Sequence, residues 1–171
     1  KEIGERGIIE IIRERLELPE EMITPFGEDV SALDMGGGKL LVLKSDMLVG
    51  STDIPPGMNY FQAARKAIVM NVSDFASKGM TPKAFMVSLG LPPEFGREEI
   101  EQLSLGLNGG AREYRTHLLG GDTGMARDVV IAVSGYGIGE RSSLILRTGA
   151  RPGDLLATTG EFGDTTAGLR A

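Results

Sequence analysis

Apolar positions along the chain fall into two rhythms. Over residues 2–16, Ile3, Ile8, Ile11, Ile12 and Leu16 recur on one face, which predicts an amphipathic helix ended by Pro19. "DVSALDM" and "KLLVLKSD" follow, two short apolar runs split by Gly36, Gly37 and Gly38, the pattern of a β-hairpin. The helical rhythm returns in "NYFQAARKAIVMNVSDFASKG", with Asn59 as N-cap, Gly79 as stop, and Ala64, Ile68, Val72, Phe75 and Ala76 as its stripe. "PKAFMVSLGLP" reads as a buried strand between prolines. "REEIEQLSLGLNGGAREY" reads as a helix with acids in its first turn, weakened at Gly109 and Gly110. Then come a short strand turning at glycines ("THLLGGDT"), a longer strand ("DVVIAVSGYGIGE") and another ("SLILRTG").

"GARPGD" at 149–154 has loop composition and marks a boundary. Beyond it, "LLATTGEFGDTTAGLRA" reads as strand, glycine turn and helix start. The expected organisation is therefore one domain over 1–149 and the beginning of an α/β domain over 150–171, a partly represented protein. The order α-β-β-α-β-α-β-β-β mixes hairpins with helices. It predicts an α+β fold with a mainly antiparallel sheet flanked by helices.

Composition narrows the function. The 171 residues carry a net charge of −6, which excludes a broad basic face for nucleic acid. Trp is absent and aromatics are few, so base-stacking platforms are not expected. Without Cys there is no disulfide, thiolate metal site or Cys nucleophile, and a reducing cytoplasm fits. No apolar run approaches the ~20 residues that span a bilayer, and the charged N-terminus has no signal-peptide core. Asn71-Val72-Ser73 matches the glycosylation sequon but falls inside a predicted helix.

Acids appear in four places, each flanked by small or apolar residues: Glu28-Asp29 after Gly27, Asp46 closing a strand, Asp74 on the long helix, and Asp122 after Gly120-Gly121. A cap or turn residue is the ordinary reading of any one of them. Together they raise another. Converging carboxylates repel and call for a cation, and with oxygen donors alone that cation is Mg²⁺, which leaves coordination positions for substrate phosphates. Asn71 and Asp74 share a helix face three residues apart. Other motifs fail. Gly135-Tyr-Gly-Ile-Gly139 precedes no helix, so it is no dinucleotide fingerprint, and no G-x-x-x-x-G-K-[ST] occurs. His117, the single His, has no nucleophile partner and reads as structural. Met47, Met58, Met70, Met80 and Met86 read as core filler.

An ordered series of blocks resembles the thiamine-monophosphate kinase family in its archaeal form, within the superfamily of aminoimidazole ribonucleotide synthetase. The blocks are "GEDVSAL", "KSDMLVGSTDIPPGM", "ARKAIVMNVSDFASKGMTPKAFMVSLGLP", "GGDT", "LRTGARPGD" and "TTGEFGDTTAGL". The resemblance implies a sheet that pairs with a second copy into a dimeric β-barrel. It also implies transfer of the γ-phosphoryl of ATP to thiamine monophosphate, assisted by several Mg²⁺ ions. By resemblance, Asp29, Ser45, Asp46, Asp74 and Asp122 match metal positions. Gly121, Asp122 and Arg147 match the nucleotide site, and Asp53 stands where many bacterial relatives have a substrate-contacting His. Glu28 departs from the family's Asp-Asp pair. Two rivals stay open: another ATP-using member of the superfamily, of hydrogenase-maturation or purine-synthesis type, and a non-catalytic dimerisation domain whose acids are only caps.

Overall fold

The structure is a computed structural model that describes residues 3–158, 160–163 and 168. Its elements are α1 (Glu5–Arg13), β1 (Ser31–Asp34), β2 (Lys39–Val49), α2 (Gly50–Asp53), α3 (Tyr60–Ser77), β3 (Pro82–Leu91), α4 (Arg97–Glu113), β4 (His117–Met125) and β5 (Val130–Glu140). The strands form one sheet in the order β1-β2-β5-β3-β4. Three pairings are antiparallel and the last, β3 with β4, is parallel. The sheet is thus mixed but mainly antiparallel, and the fold is α+β, as the element order implies.

The helix α3 forms where its stripe predicts. Asn59 accepts from the Gln62 N–H at 2.9 Å while the Gln62 side chain accepts from the Asn59 N–H, a capping box. Ala64, Ile68, Val72 and Phe75 are buried, and Ala76 is exposed. With Leu103 and Leu107 of α4 they cover one face of the sheet, against Leu40, Val42, Leu48, Phe85, Val87, Ile131 and Val133. Alternation along the strands turns the other residues away from the helices. Leu43, Met47, Met86 and Ile138 therefore lie exposed on an open face. Of the methionines read as core filler, only Met80 is fully buried, and Met47 and Met86 belong to that open face.

Glycines in α4 and β5 serve packing. A Cβ on Gly106 would lie 2.2 Å from the Phe61 carbonyl oxygen, so the backbones of α3 and α4 touch there. In the "GYGIG" run, Cβ atoms on Gly135 and Gly139 would strike the Phe85 ring and the Met80 sulfur. The run makes room for core side chains, which accounts for its likeness to a nucleotide fingerprint. Gly106→Ala gains about 1 kcal/mol of helix propensity but must push the two helix backbones apart, at about 1–3 kcal/mol or more. A net loss of stability is expected in urea denaturation, and a gain would mean that the contact is not made.

Four expectations need correction. Asp46 does not close β2, which runs three residues further to Val49. "GGDT" is no turn, because β4 continues through it to Met125, held in register on β3. "SLILRTG" forms no strand: both edges of β5 are already taken by β2 and β3. The chain instead makes a 3₁₀ turn at Arg141–Ser143 and closes over the end of α3, where the Ile145 N–H bonds the Lys78 carbonyl at 3.1 Å. The strand expected at the start of 155–171 is not formed over 155–158, where Leu155 and Leu156 are fully exposed. Most of the expected helix start lies outside the described residues. No helix among the described residues is long and apolar enough to cross a membrane.

Candidate functional site

Alternation along β2 places Lys44 and Asp46 on the helix-covered side, where α3 brings Asp74 over them. The Lys44 ammonium lies 2.5 Å from Asp74 Oδ2 and 3.8 Å from Asp46 Oδ2. Beyond Leu43, β2 has no β1 partner, and two acids cover the exposed edge. Asp46 Oδ1 accepts from the Met47 N–H at 3.0 Å, and Asp53 Oδ2 from the Val49 N–H at 2.8 Å. Asp53 also accepts from the Thr52 hydroxyl at 3.0 Å, so it ends the short helix α2 tied back to the end of β2 rather than sitting free in a loop.

A second ionic cluster adjoins the C-terminal end of α3. Lys78 is buried and donates to Glu28 at 2.5 Å and to Asp29 at 2.9 Å. Arg147, delivered by the segment that closes over α3, turns its guanidinium fork onto both Asp29 oxygens, and its N–H bonds Glu28 at 3.1 Å. The two clusters are close enough for Asp74 to bias Arg147. Between them, Glu28, Asp29, Val30, Ser31, Leu43, Lys44 and Ser45 line a shallow depression of about 280 Å³.

The bonds set the protonation. The Lys78 hydrogen bond holds the Glu28 carboxyl below its usual range, against burial. Hydrogen bonds from Arg147 and then Lys78 do the same for Asp29. Burial alone would depress Lys78, but the bonds to Glu28 and Asp29 outweigh it and its pKa rises. The two acids therefore add stability above their unfolded pKa values, about 4.3 and 3.9. That stability is lost as pH falls through the depressed folded values. Lys78 adds stability below about 10.4, lost as pH rises through its raised folded value. Tm should hold level across neutral pH and fall at both ends. A Tm unchanged well below pH 4 would contradict the cluster.

The structure gathers Asp29, Asp46, Asp74 and Arg147 on one side, brings Ser45 to the rim of their depression and leaves Asp122 off it. The Ser45 hydroxyl turns to the open face, 2.9 Å from that of Ser134. Asp122 pairs in register with Ser88, on the open face too, and three strand spacings separate β4 from β2, about 14 Å. Gly121 is held by packing: a Cβ there would meet the Val87 carbonyl oxygen at 1.7 Å. Asn71 is fully buried, its amide nitrogen bonded to the Ala67 carbonyl at 3.0 Å and its Oδ1 without a partner. No three Asp, Glu or His side chains converge on a common point among the described residues. Lysines stand between the acids instead.

Sequence reasoning missed Lys44 and Lys78. Lys44 carried a signal, since period two from Val42 and Asp46 puts it on the covered side. Lys78 carried a weaker one, a lone cation between Phe75 and Met80 in an apolar helix end.

A mixed sheet covered by helices on one face, with interleaved acids and cations where α3 ends and β2 loses its neighbour, defines a two-layer α+β domain without a phosphate loop. The chain belongs to the family described as AIR synthase related protein, N-terminal domain, which matches residues 27–140. It is similar to the curated thiamine-monophosphate kinase of Pyrococcus horikoshii, 42% identical over 137 residues, covering 80% of this chain and 43% of that one. Among solved structures it is similar to AaThiL complexed with AMPPCP and TMP (TM-score 0.77, 28% identity, 87% of this chain and 46% of the other). It is also similar to the thiamine monophosphate kinase of Aquifex aeolicus (TM-score 0.72, 27% identity, 85% and 46%). The chain spans less than half the length of each of these relatives.

Proposed function

We propose that this chain is the N-terminal, nucleotide-handling portion of a cytoplasmic enzyme that phosphorylates thiamine monophosphate to thiamine diphosphate with ATP. The observation that carries the reading is the joined pair of ionic clusters, in which Asp29, Asp46 and Asp74 share one surface with Arg147 and Lys44. The likeness to proteins of that name supports the substrate assignment.

The donors there are hard oxygens, which suit Mg²⁺. Each is already engaged by an ammonium or guanidinium, so a divalent ion fits by exchange with Lys44 and Lys78 rather than by entering a gap. Asp29, Asp46 and Asp74 would hold it, while Ser45 and Asp122 join the set by resemblance alone. The metal would neutralise phosphate charge where two anions must meet. Lys44, once released, is a point charge for phosphate. Arg147, freed from Asp29, offers a planar fork to phosphate oxygens near the nucleotide loop at Gly121 and Asp122. Asp53 makes both of its bonds through Oδ2 and would favour the thiazolium cation with Oδ1.

The open face, with Leu43, Met47, Met86 and Ile138 in water, is the surface through which two copies would form the barrel. Residues from 150 onward would begin the domain that completes the substrate site. The test is the full-length enzyme with ATP and thiamine monophosphate. Thiamine diphosphate should form with Mg²⁺ and not after chelation. Failure to form it with Mg²⁺ present would overturn the reading.

A further inference from the structure

The C-terminal end of α4 and the start of β4 enclose a depression of about 330 Å³ lined by Asn108, Arg112, Arg115, Thr116 and His117. No acid lines it, in a chain of net charge −6. Each of its side chains can donate a hydrogen bond. Among the described residues neither arginine is in an ion pair. The adjacent acid, Glu113, is occupied by Arg65 at 2.7 Å.

Two further features mark the place. Thr116 is 1% exposed, yet its hydroxyl has no hydrogen-bond partner among the described residues. A buried polar atom in that state is costly unless something comes to it. Arg115 closes α4 in the left-handed region, φ 56°, the sole non-glycine residue with positive φ among those described. The Thr116 N–H bonds the Ala111 carbonyl at 3.0 Å and the Arg115 N–H that of Arg112 at 3.0 Å, a helix stop in which glycine is the usual resident. This chain has a guanidinium there, beside that of Arg112.

We propose that the depression binds a phosphate group, carried as the free ion or as a small phosphomonoester. Two guanidinium forks, an amide and an imidazole are more donors than the two oxygens of a carboxylate can take, and phosphate can use them. The C-terminal end of α4 opposes an anion with about half a charge, which two full cationic charges outweigh.

His117 is the chain's single histidine, so its imidazole resonances report on this depression and not on the acids around Asp46. The intact protein is titrated with inorganic phosphate and, separately, with glycerol phosphate, at constant pH and ionic strength. The resonances should shift and saturate. A tighter midpoint for glycerol phosphate identifies a monoester as the occupant, and an equal one identifies the free ion. Arg115→Gly removes the fork while relieving the backbone, so Tm should rise as affinity falls about tenfold. A shift linear in phosphate, or the same curve in Arg115→Gly, would overturn the proposal.

Discussion

Asp46→Asn and Asp74→Asn are each expected to slow thiamine diphosphate formation by the full-length enzyme about 100-fold or more. That corresponds to about 2.7 kcal/mol of transition-state stabilisation. The substitutions keep the shape and remove a charge. The fold should survive both: Lys44 lies between the two acids and keeps one partner in either variant. Partly exposed pairs of this kind contribute about 1 kcal/mol or less. The Mg²⁺ concentration that gives half the rate should rise in both variants, a response that a cap residue would not produce. Full activity in both would remove these carboxylates from the chemistry and leave them as edge and strand neighbours of a lysine.

Lys78→Met is expected to cost about 3–5 kcal/mol at neutral pH, a large fraction of the roughly 5–15 kcal/mol that holds an ordinary domain folded. Methionine fills the space of the alkyl stem. It leaves Glu28, with its side chain 5% exposed, and Asp29, which keeps only Arg147. The loss comes from taking the paired cation off a buried carboxylate, which keeps only the Arg147 N–H. It should therefore shrink as pH falls and Glu28 takes up a proton, and the double variant with Glu28→Gln should recover much of it. Urea denaturation at neutral and acid pH measures both effects. An unchanged midpoint at neutral pH would show that Lys78 is not the counter-ion of Glu28.

What the sequence made legible was local. α3 could be read because Ala64, Ile68, Val72 and Phe75 repeat at helical spacing after a side-chain cap. The first hairpin could be read because three glycines separate two apolar runs. β4 was cut short because nearly all of it is exposed and no alternation marks it. Its order comes from the parallel partner β3, more than thirty residues away. "SLILRTG" has strand composition, but both edges of the preceding strand β5 are taken and its Ile145 N–H goes to the Lys78 carbonyl instead, which composition does not record. The acids were visible one at a time. Their cations were not, because Lys44 meets Asp74 and Lys78 meets Glu28 only after α3 has packed on the sheet.

At Gly106, α4 lies directly against the Phe61 carbonyl and the Ala64 methyl of α3, and the crossing is at the opposite end of α3 from the ionic groups. Asp74 is thirteen residues further along that rod, about 20 Å at ~1.5 Å per residue. α4, packed beside α3 on the sheet, thus bears on one end of a long rod whose far tip carries Asp74 and Lys78. A wedge as small as one methyl at Gly106 would swing that tip, so the carboxylates can be misaligned by a change that touches none of them.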